Sequence, residues 1–151
     1  MYSQRFCAHK DSMDYAYLIT PFLTWLVVGP IKFLINSARQ RRWAFNLVGN
    51  GGFPSNHSSV VTSMATLIAL REGIGHPAFG VAVTLAFIVM IDANSLRQHV
   101  GRQAAAINRL AVAVTGHQTL RERMGHTLVE ICGGIVTGIG MGFLVFNLFG
   151  G

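Results

Sequence analysis

Four stretches of this chain, 17–35, 58–70, 76–91 and 127–149, are apolar, and almost no charge interrupts them. The first and last approach the roughly 20 residues a helix needs to cross a bilayer. The middle two are shorter, so they need flanking turns or burial among the others. Charged residues make up 12% of the 151 residues, about half the share of an ordinary soluble domain, while 51% are hydrophobic. The expectation is a single all-α domain over 1–151, an integral membrane helical bundle with about four spanning helices and a polar N-terminal segment, 1–14. That segment has no short apolar core with a small-residue cleavage site, so the first span is expected to be retained. A soluble helical protein with a large core is the alternative.

The segment 103–116 is apolar enough to resemble a fifth span, but it is short and carries Asn108 and Arg109 near its middle. A central arginine costs about 2.5–3.5 kcal/mol on insertion. A surface or re-entrant helix is therefore expected, with Arg97, Gly101, Ala104 and Asn108 on one face. For Arg102 and Arg109, contact with anionic headgroups is an equal reading. Alternating spans put Arg39, Arg41, Arg42, Arg97, Arg102, Arg109, Arg121 and Arg123 on one side, against Arg5, Lys10 and Arg71 on the other. The richer side is expected to be cytoplasmic, in the plasma (inner) membrane. These basic residues sit at membrane exits rather than on a soluble face with interleaved aromatics, so no nucleic-acid partner is implied. Gly134, Gly138 and Gly142 recur every fourth residue, a seam for close helix approach within the chain or between copies in a homo-oligomer. The two cysteines, Cys7 and Cys132, imply neither a disulfide framework nor a metal motif.

With this topology the unusual polar residues converge on one membrane face: Lys32, His57, Asp92, Arg97 and His126. Residues 49–58 read Gly-Asn-Gly-Gly-Phe-Pro-Ser-Asn-His-Ser and stop at the threshold of an apolar run. A helix N-terminus offers unpaired N–H groups and partial positive charge, and a glycine-rich approach lets an anion reach both. Ser55 and Asn56 could add hydrogen bonds, with His57 beside the anion; a plain helix cap with an interfacial histidine is the competing reading. His126 and Glu130 are four apart, hence neighbours on a helix. A carboxylate on one imidazole nitrogen fixes the tautomer and leaves the other as nucleophile or base, although the same pair could merely cap the last helix. With six acidic residues in all and a basic face, the site suits an anion better than a metal cation, and no cofactor is expected.

The runs Gly51-Gly52-Phe53-Pro54-Ser55-Asn56-His57-Ser58, Asp92-Ala93-Asn94-Ser95-Leu96-Arg97 followed by Gly101-Arg102-Gln103-Ala104 and Asn108, and Gly125-His126-Thr127-Leu128-Val129-Glu130 resemble the divergent branch of the type 2 phosphatidic acid phosphatase and vanadium haloperoxidase superfamily. The resemblance runs from about residue 25 to 145, and three motifs occur in order. The superfamily pattern is Lys-x6-Arg-Pro, Pro-Ser-Gly-His and Ser-Arg-x5-His-x3-Asp. Here Lys32 precedes Arg39 by seven positions, but Gln40 replaces the proline and Arg41 is a rival for the arginine. Asn56 replaces glycine, Ser95 stands two places before Arg97, and Glu130 replaces aspartate. Residues 98 to 125 separate Arg97 from His126, where the pattern has five.

The resemblance implies a metal-independent phosphatase acting on a lipid phosphate: phosphatidic acid, phosphatidylglycerophosphate, or a polyprenyl phosphate or diphosphate. Carried onto this sequence, His126 would form a phosphohistidine with Glu130 orienting it, and His57 would protonate the leaving oxygen. Lys32, Arg39 or Arg41, Ser55, Arg97 and N–H groups near Gly52 would hold the phosphate, with Asn56 beside them. Asp92, Gln103 and Asn108 are further polar candidates. The alternative keeps the pocket without the chemistry, as a lipid-phosphate carrier. A vanadate haloperoxidase is a third reading.

Overall fold

The computed structural model describes residues 15–40, 52–111, 118–122 and 124–149, without the side chains of Arg39 and Gln40. The polar stretch 1–14, Arg41 and Arg42, Arg123 and the end of the 103–116 segment lie outside the described residues. The elements are α1 (Ala16–Gln40), α2 (Asn56–Arg71), α3 (Pro77–Ile91), a π-helical turn (Asp92–Leu96), α4 (Arg97–Leu110) and α5 (Leu128–Leu148), with no strand among the described residues.

Polarity is distributed the reverse of a soluble protein. Phe22, Trp25, Leu26, Val81, Phe87, Val136 and Leu148 are exposed, whereas Thr20, Thr24, Ser55, Ser58, Ser59 and Ser63 are completely buried. An apolar surface of this extent in water would seek another to cover it; in lipid it is the solvated face. Ala16–Ala38, Pro77–Leu110 and Leu128–Leu148 are each long and apolar enough to cross a membrane. The chain is a helical membrane protein.

At 16 residues α2 is shorter than these three, and it packs on all of them, most extensively on α5. Its small hydroxyl-bearing face explains why it can sit inside. Thr24 on α1 donates to Ser63 at 2.9 Å, Ser59 and Thr137 share a 2.7 Å hydrogen bond, and Ser59 also donates to the Ser55 carbonyl at 2.9 Å. Each hydroxyl thus has a protein partner where lipid offers none.

The glycine seam faces α2 of the same chain. A Cβ on Gly134 would come within 2.7 Å of Ser58 Cβ, one on Gly138 within 2.6 Å of the Ser59 carbonyl oxygen, and one on Gly142 within 2.6 Å of Thr66 Cβ. Three absent methyl groups therefore let the two helices touch backbone to side chain. Of the two uses expected of this seam, close approach within the chain is the one seen here, against α2.

The segment expected as a separate surface or re-entrant helix over 103–116 starts earlier, at Arg97, and continues α3 through the π turn. Together they form one 34-residue rod, Pro77–Leu110. Hydropathy marks where a helix leaves lipid, not where its backbone stops, so the polar run after Ile91 looked like a boundary. The chain then returns along α4. Asn108 Nδ2 donates to the Leu120 carbonyl (2.7 Å) and to Glu122 Oε1 (2.9 Å), while Asn108 Oδ1 accepts from the Leu120 N–H (2.8 Å). Gly101 lies against the Glu122 carbonyl with no room for a side chain. Finally the His126 N–H donates to the Ala93 carbonyl at 2.8 Å.

Candidate active site

His126 sits just ahead of α5, whose first turn is closed by a capping box. Thr127 Oγ1 accepts from the Glu130 N–H (3.3 Å) and Glu130 Oε2 accepts from the Thr127 N–H (3.0 Å). The same carboxylate oxygen accepts from His126 Nδ1 at 3.0 Å, so Glu130 both caps the helix and fixes the ring, leaving Nε2 as the free nitrogen. His126 is 4% exposed. Burial pushes its pKa below the ordinary 6.5, the hydrogen bond to Glu130 opposes that shift, and the positive field of Lys32 and then Arg97 adds to it. The ring is thereby held neutral near pH 7, the state in which its free nitrogen carries a lone pair.

The backbone at His126 is held from the long helix Pro77–Leu110. Gly125 has φ +92°, and a Cβ there would lie 3.0 Å from Gln98 Cγ and 3.3 Å from the Ala93 carbonyl oxygen; glycine meets both demands. Gln98 Nε2 donates to Asn94 Oδ1 (3.0 Å) and reaches the His126 carbonyl at 3.5 Å. The long interval between Arg97 and His126 is thus an excursion out along α4 and back, which returns the histidine to within a turn of the arginine.

His57 enters from the first turn of α2. Its ring centroid is 5.9 Å from that of His126, with the planes at 61°. Arg97 Nη2 lies 3.4 Å from His57 Nε2, and Arg97 Nε lies 3.4 Å from Asp92 Oδ2. The π turn carries both Asp92 and the step into Arg97, a location typical of functional helix irregularities. Lys32, half-buried on α1, completes the group through the field it exerts at both imidazoles. Four elements therefore bring Lys32, His57, Arg97, His126 and Glu130 to one end of the bundle, as the sequence led us to expect.

Other expected site residues are placed differently. Ser55 is fully buried; its N–H donates to the Glu130 carbonyl (2.9 Å) and its hydroxyl accepts from Ser58 Oγ (3.1 Å). Its backbone ties α2 to α5. Gly52, at φ +139°, lies against buried Asn36, whose Nδ2 a Cβ would approach to 2.6 Å. Asn56 Oδ1 is buried with no hydrogen-bond partner among the described residues, and this is the position where the superfamily pattern has glycine. Gln103 is exposed on α4, and Asn108, 11 residues beyond Arg97 and so about 16 Å along the axis, clamps the returning chain. Both belong to the excursion, not to the histidine pair. Arg39 closes α1, without a described side chain. Among the described residues no three of His, Cys, Asp and Glu gather to hold a metal ion.

The model of the divergent PAP2 family matches residues 13–141. The chain belongs to the divergent PAP2 family. It is also similar to the uncharacterized membrane protein YuiD of Bacillus subtilis (strain 168), 32% identical over 126 residues that cover 73% of this chain and 78% of that protein. No solved structure matches it. Within this divergent PAP2 chain, sequence reasoning missed Asn36, Asn94 and Gln98. Polar residues at helix ends gave no reason to prefer these three, and only the folded-back excursion brings Gln98 to His126.

Proposed function

We propose that this divergent PAP2 protein is a membrane lipid-phosphate phosphatase that works through a phosphohistidine on His126, without a metal ion. The observation that carries the reading is the pair of imidazoles 5.9 Å apart, one backed by Glu130 and the other touched by Arg97. An attacking nitrogen needs to stand about 3–3.5 Å from phosphorus, so rings at this separation can both contact one tetrahedral group. His126 Nε2 would attack phosphorus while Nδ1 keeps its proton on Glu130. His57 would give a proton to the departing oxygen and then take one from the water that releases phosphate. Arg97 and Lys32, with the first-turn N–H groups of α2, would stabilise the charge spread over the remaining oxygens, already oriented before the reaction.

The substrate class follows from the site's place at the end of a lipid-embedded bundle: a phosphate or diphosphate on a lipid, with phosphatidic acid, phosphatidylglycerophosphate and polyprenyl phosphates as candidates. The arginine-rich side supports, in this reading, a site on the cytoplasmic face of the inner membrane. The test is phosphate release in detergent, with chelator present, across that panel. Wild type should hydrolyse at least one member; His126→Ala and His57→Ala, still folded, should not. Transport of a lipid phosphate between leaflets that survives His126→Ala, with no hydrolysis by wild type, would make the pocket a carrier's instead.

A further inference from the structure

Asp92 has no part in the proposed chemistry, yet it stands one contact away from it. Asp92 and Arg97 are five residues apart, and in a regular α-helix that separation turns side chains about 140° from each other. They could not meet. The π turn removes this mismatch, because its hydrogen bonds span five residues: the Arg97 N–H donates to the Asp92 carbonyl. One residue therefore stacks on the other, and Arg97 Nε donates to Asp92 Oδ2 at 3.4 Å. The two side chains are 40% and 39% exposed, and an ion pair so open to solvent contributes little to stability. Bracing the helix does not explain it.

The same guanidinium reaches the site. Its Nη2 donates to His57 Nε2 at 3.4 Å. A guanidinium has hydrogens to give and no lone pair to offer, so the nitrogen opposite it is the one without a proton. His57 is then neutral with its proton on Nδ1, the reverse of the Nε2–H form that histidine prefers in water. The ring also feels His126 from the head of α5, Lys32 from α1 and Asp92 itself, but among the described residues only Arg97 hydrogen-bonds it. We propose that Asp92 is a positioning residue: through the π turn it holds Arg97 against His57 Nε2, and so sets which nitrogen of that imidazole carries the proton. Its use in catalysis rests on the phosphatase reading. With Nε tied to Asp92, Nη1 has no hydrogen-bond partner among the described residues, so the outer edge of the guanidinium stays available to phosphate oxygens, oriented before the reaction. A phosphate oxygen that draws Nη2 to itself leaves Nε2 free to take a proton from solvent, the one His57 later donates.

The test is nitrogen NMR of the full chain in detergent without added phosphate, with ¹⁵N-histidine and with His57 identified by the signals lost in His57→Gln. Wild type should show His57 with its proton on Nδ1. Asp92→Asn, which keeps the shape and loses the charge, should turn His57 largely to the Nε2–H form, and so should Arg97→Lys, whose single ammonium lacks the fork that joins Asp92 to His57. Asp92→Glu should restore most of the wild-type form. Thermal unfolding of Asp92→Asn should match that of wild type, which separates positioning from bracing. Where wild type hydrolyses a lipid phosphate, Asp92→Asn should lower kcat/KM about tenfold, mainly through KM. A wild-type His57 protonated on Nε2 overturns the inference, as does Asp92→Asn with wild-type spectra or wild-type kinetics. The expected spectra with no hydrolysis of any lipid phosphate by wild type would uphold the inference and sink the phosphatase reading instead.

Discussion

The two ends of the bundle both carry polar side chains among the described residues, but they use them differently. At the closed end, Tyr17 donates to Glu72 Oε1 at 2.7 Å, Arg71 lies 5.5 Å over the Tyr17 ring, and its Nη2 donates to the Phe149 carbonyl at 3.2 Å. Through these contacts α1, α2 and α5 are clasped together. At the other end, Asp92 is engaged by Arg97 and Glu130 by His126, yet Lys32 and two imidazoles stand beside them. The same helices thus end in a lock on one side and, on the other, in two neighbouring imidazoles held among two cations and two carboxylates. The difference teaches that a polar cluster at a membrane surface points to chemistry when it gathers groups that can exchange protons, rather than groups that only clasp helices.

The largest break in this contrast should come from His126→Ala, which removes the attacking nitrogen. Activity on any lipid phosphate should fall by about 10⁴-fold or more in a single-turnover assay, with thermal stability in detergent little changed. Glu130→Gln should cost about 10–100-fold, as losing the carboxylate behind a functional imidazole does elsewhere. It also has a pH signature. His126 must be neutral to attack, so activity is lost as pH falls through its pKa, which burial sets below 6.5. The Glu130 hydrogen bond raises that pKa, so Glu130→Gln should move the acid limb of kcat/KM to still lower pH.

Between the two ends lies the seam, and it tests whether the site depends on helix contact. Gly138→Leu should destabilise the bundle by about 1–3 kcal/mol, because its Cβ already meets the Ser59 carbonyl; thermal unfolding in detergent would measure it. Gly140→Leu, two residues on with nothing within 4 Å, should be neutral. A smaller loss than that of Gly138→Leu is expected at the closed end. Tyr17→Phe removes one hydrogen bond, worth about 1 kcal/mol, and should leave kcat and KM unchanged.

Much of the bundle was legible because apolar runs report directly on lipid contact. The expected 58–70 and 76–91 became Asn56–Arg71 and Pro77–Ile91, and the last span, expected at 127–149, became Leu128–Leu148. The convergence of His57, Arg97 and His126 could also be read, since alternating spans send their ends to the same face. Contacts made between segments were not legible. Ser55 was read as a hydrogen-bond donor to an anion, but that its backbone N–H joins α2 to the Glu130 carbonyl is something no local pattern reveals. Asn108 looked like a site residue because it shares a helical face with Arg97, whereas its amide matches the backbone of Leu120 on the returning chain. The glycine seam announced close packing but not its partner, because a small residue records only that something comes near.

The most direct test of the account is to look for the covalent intermediate. A hydrolysed lipid substrate carrying ³²P should be mixed with protein and quenched in alkali, and any labelled peptide then located by mass spectrometry. Label on His126 of wild type, stable to base and labile to acid, and absent from His126→Ala is the predicted result. Phosphate release by wild type with no label on His126, or release undiminished in His126→Ala, would contradict it.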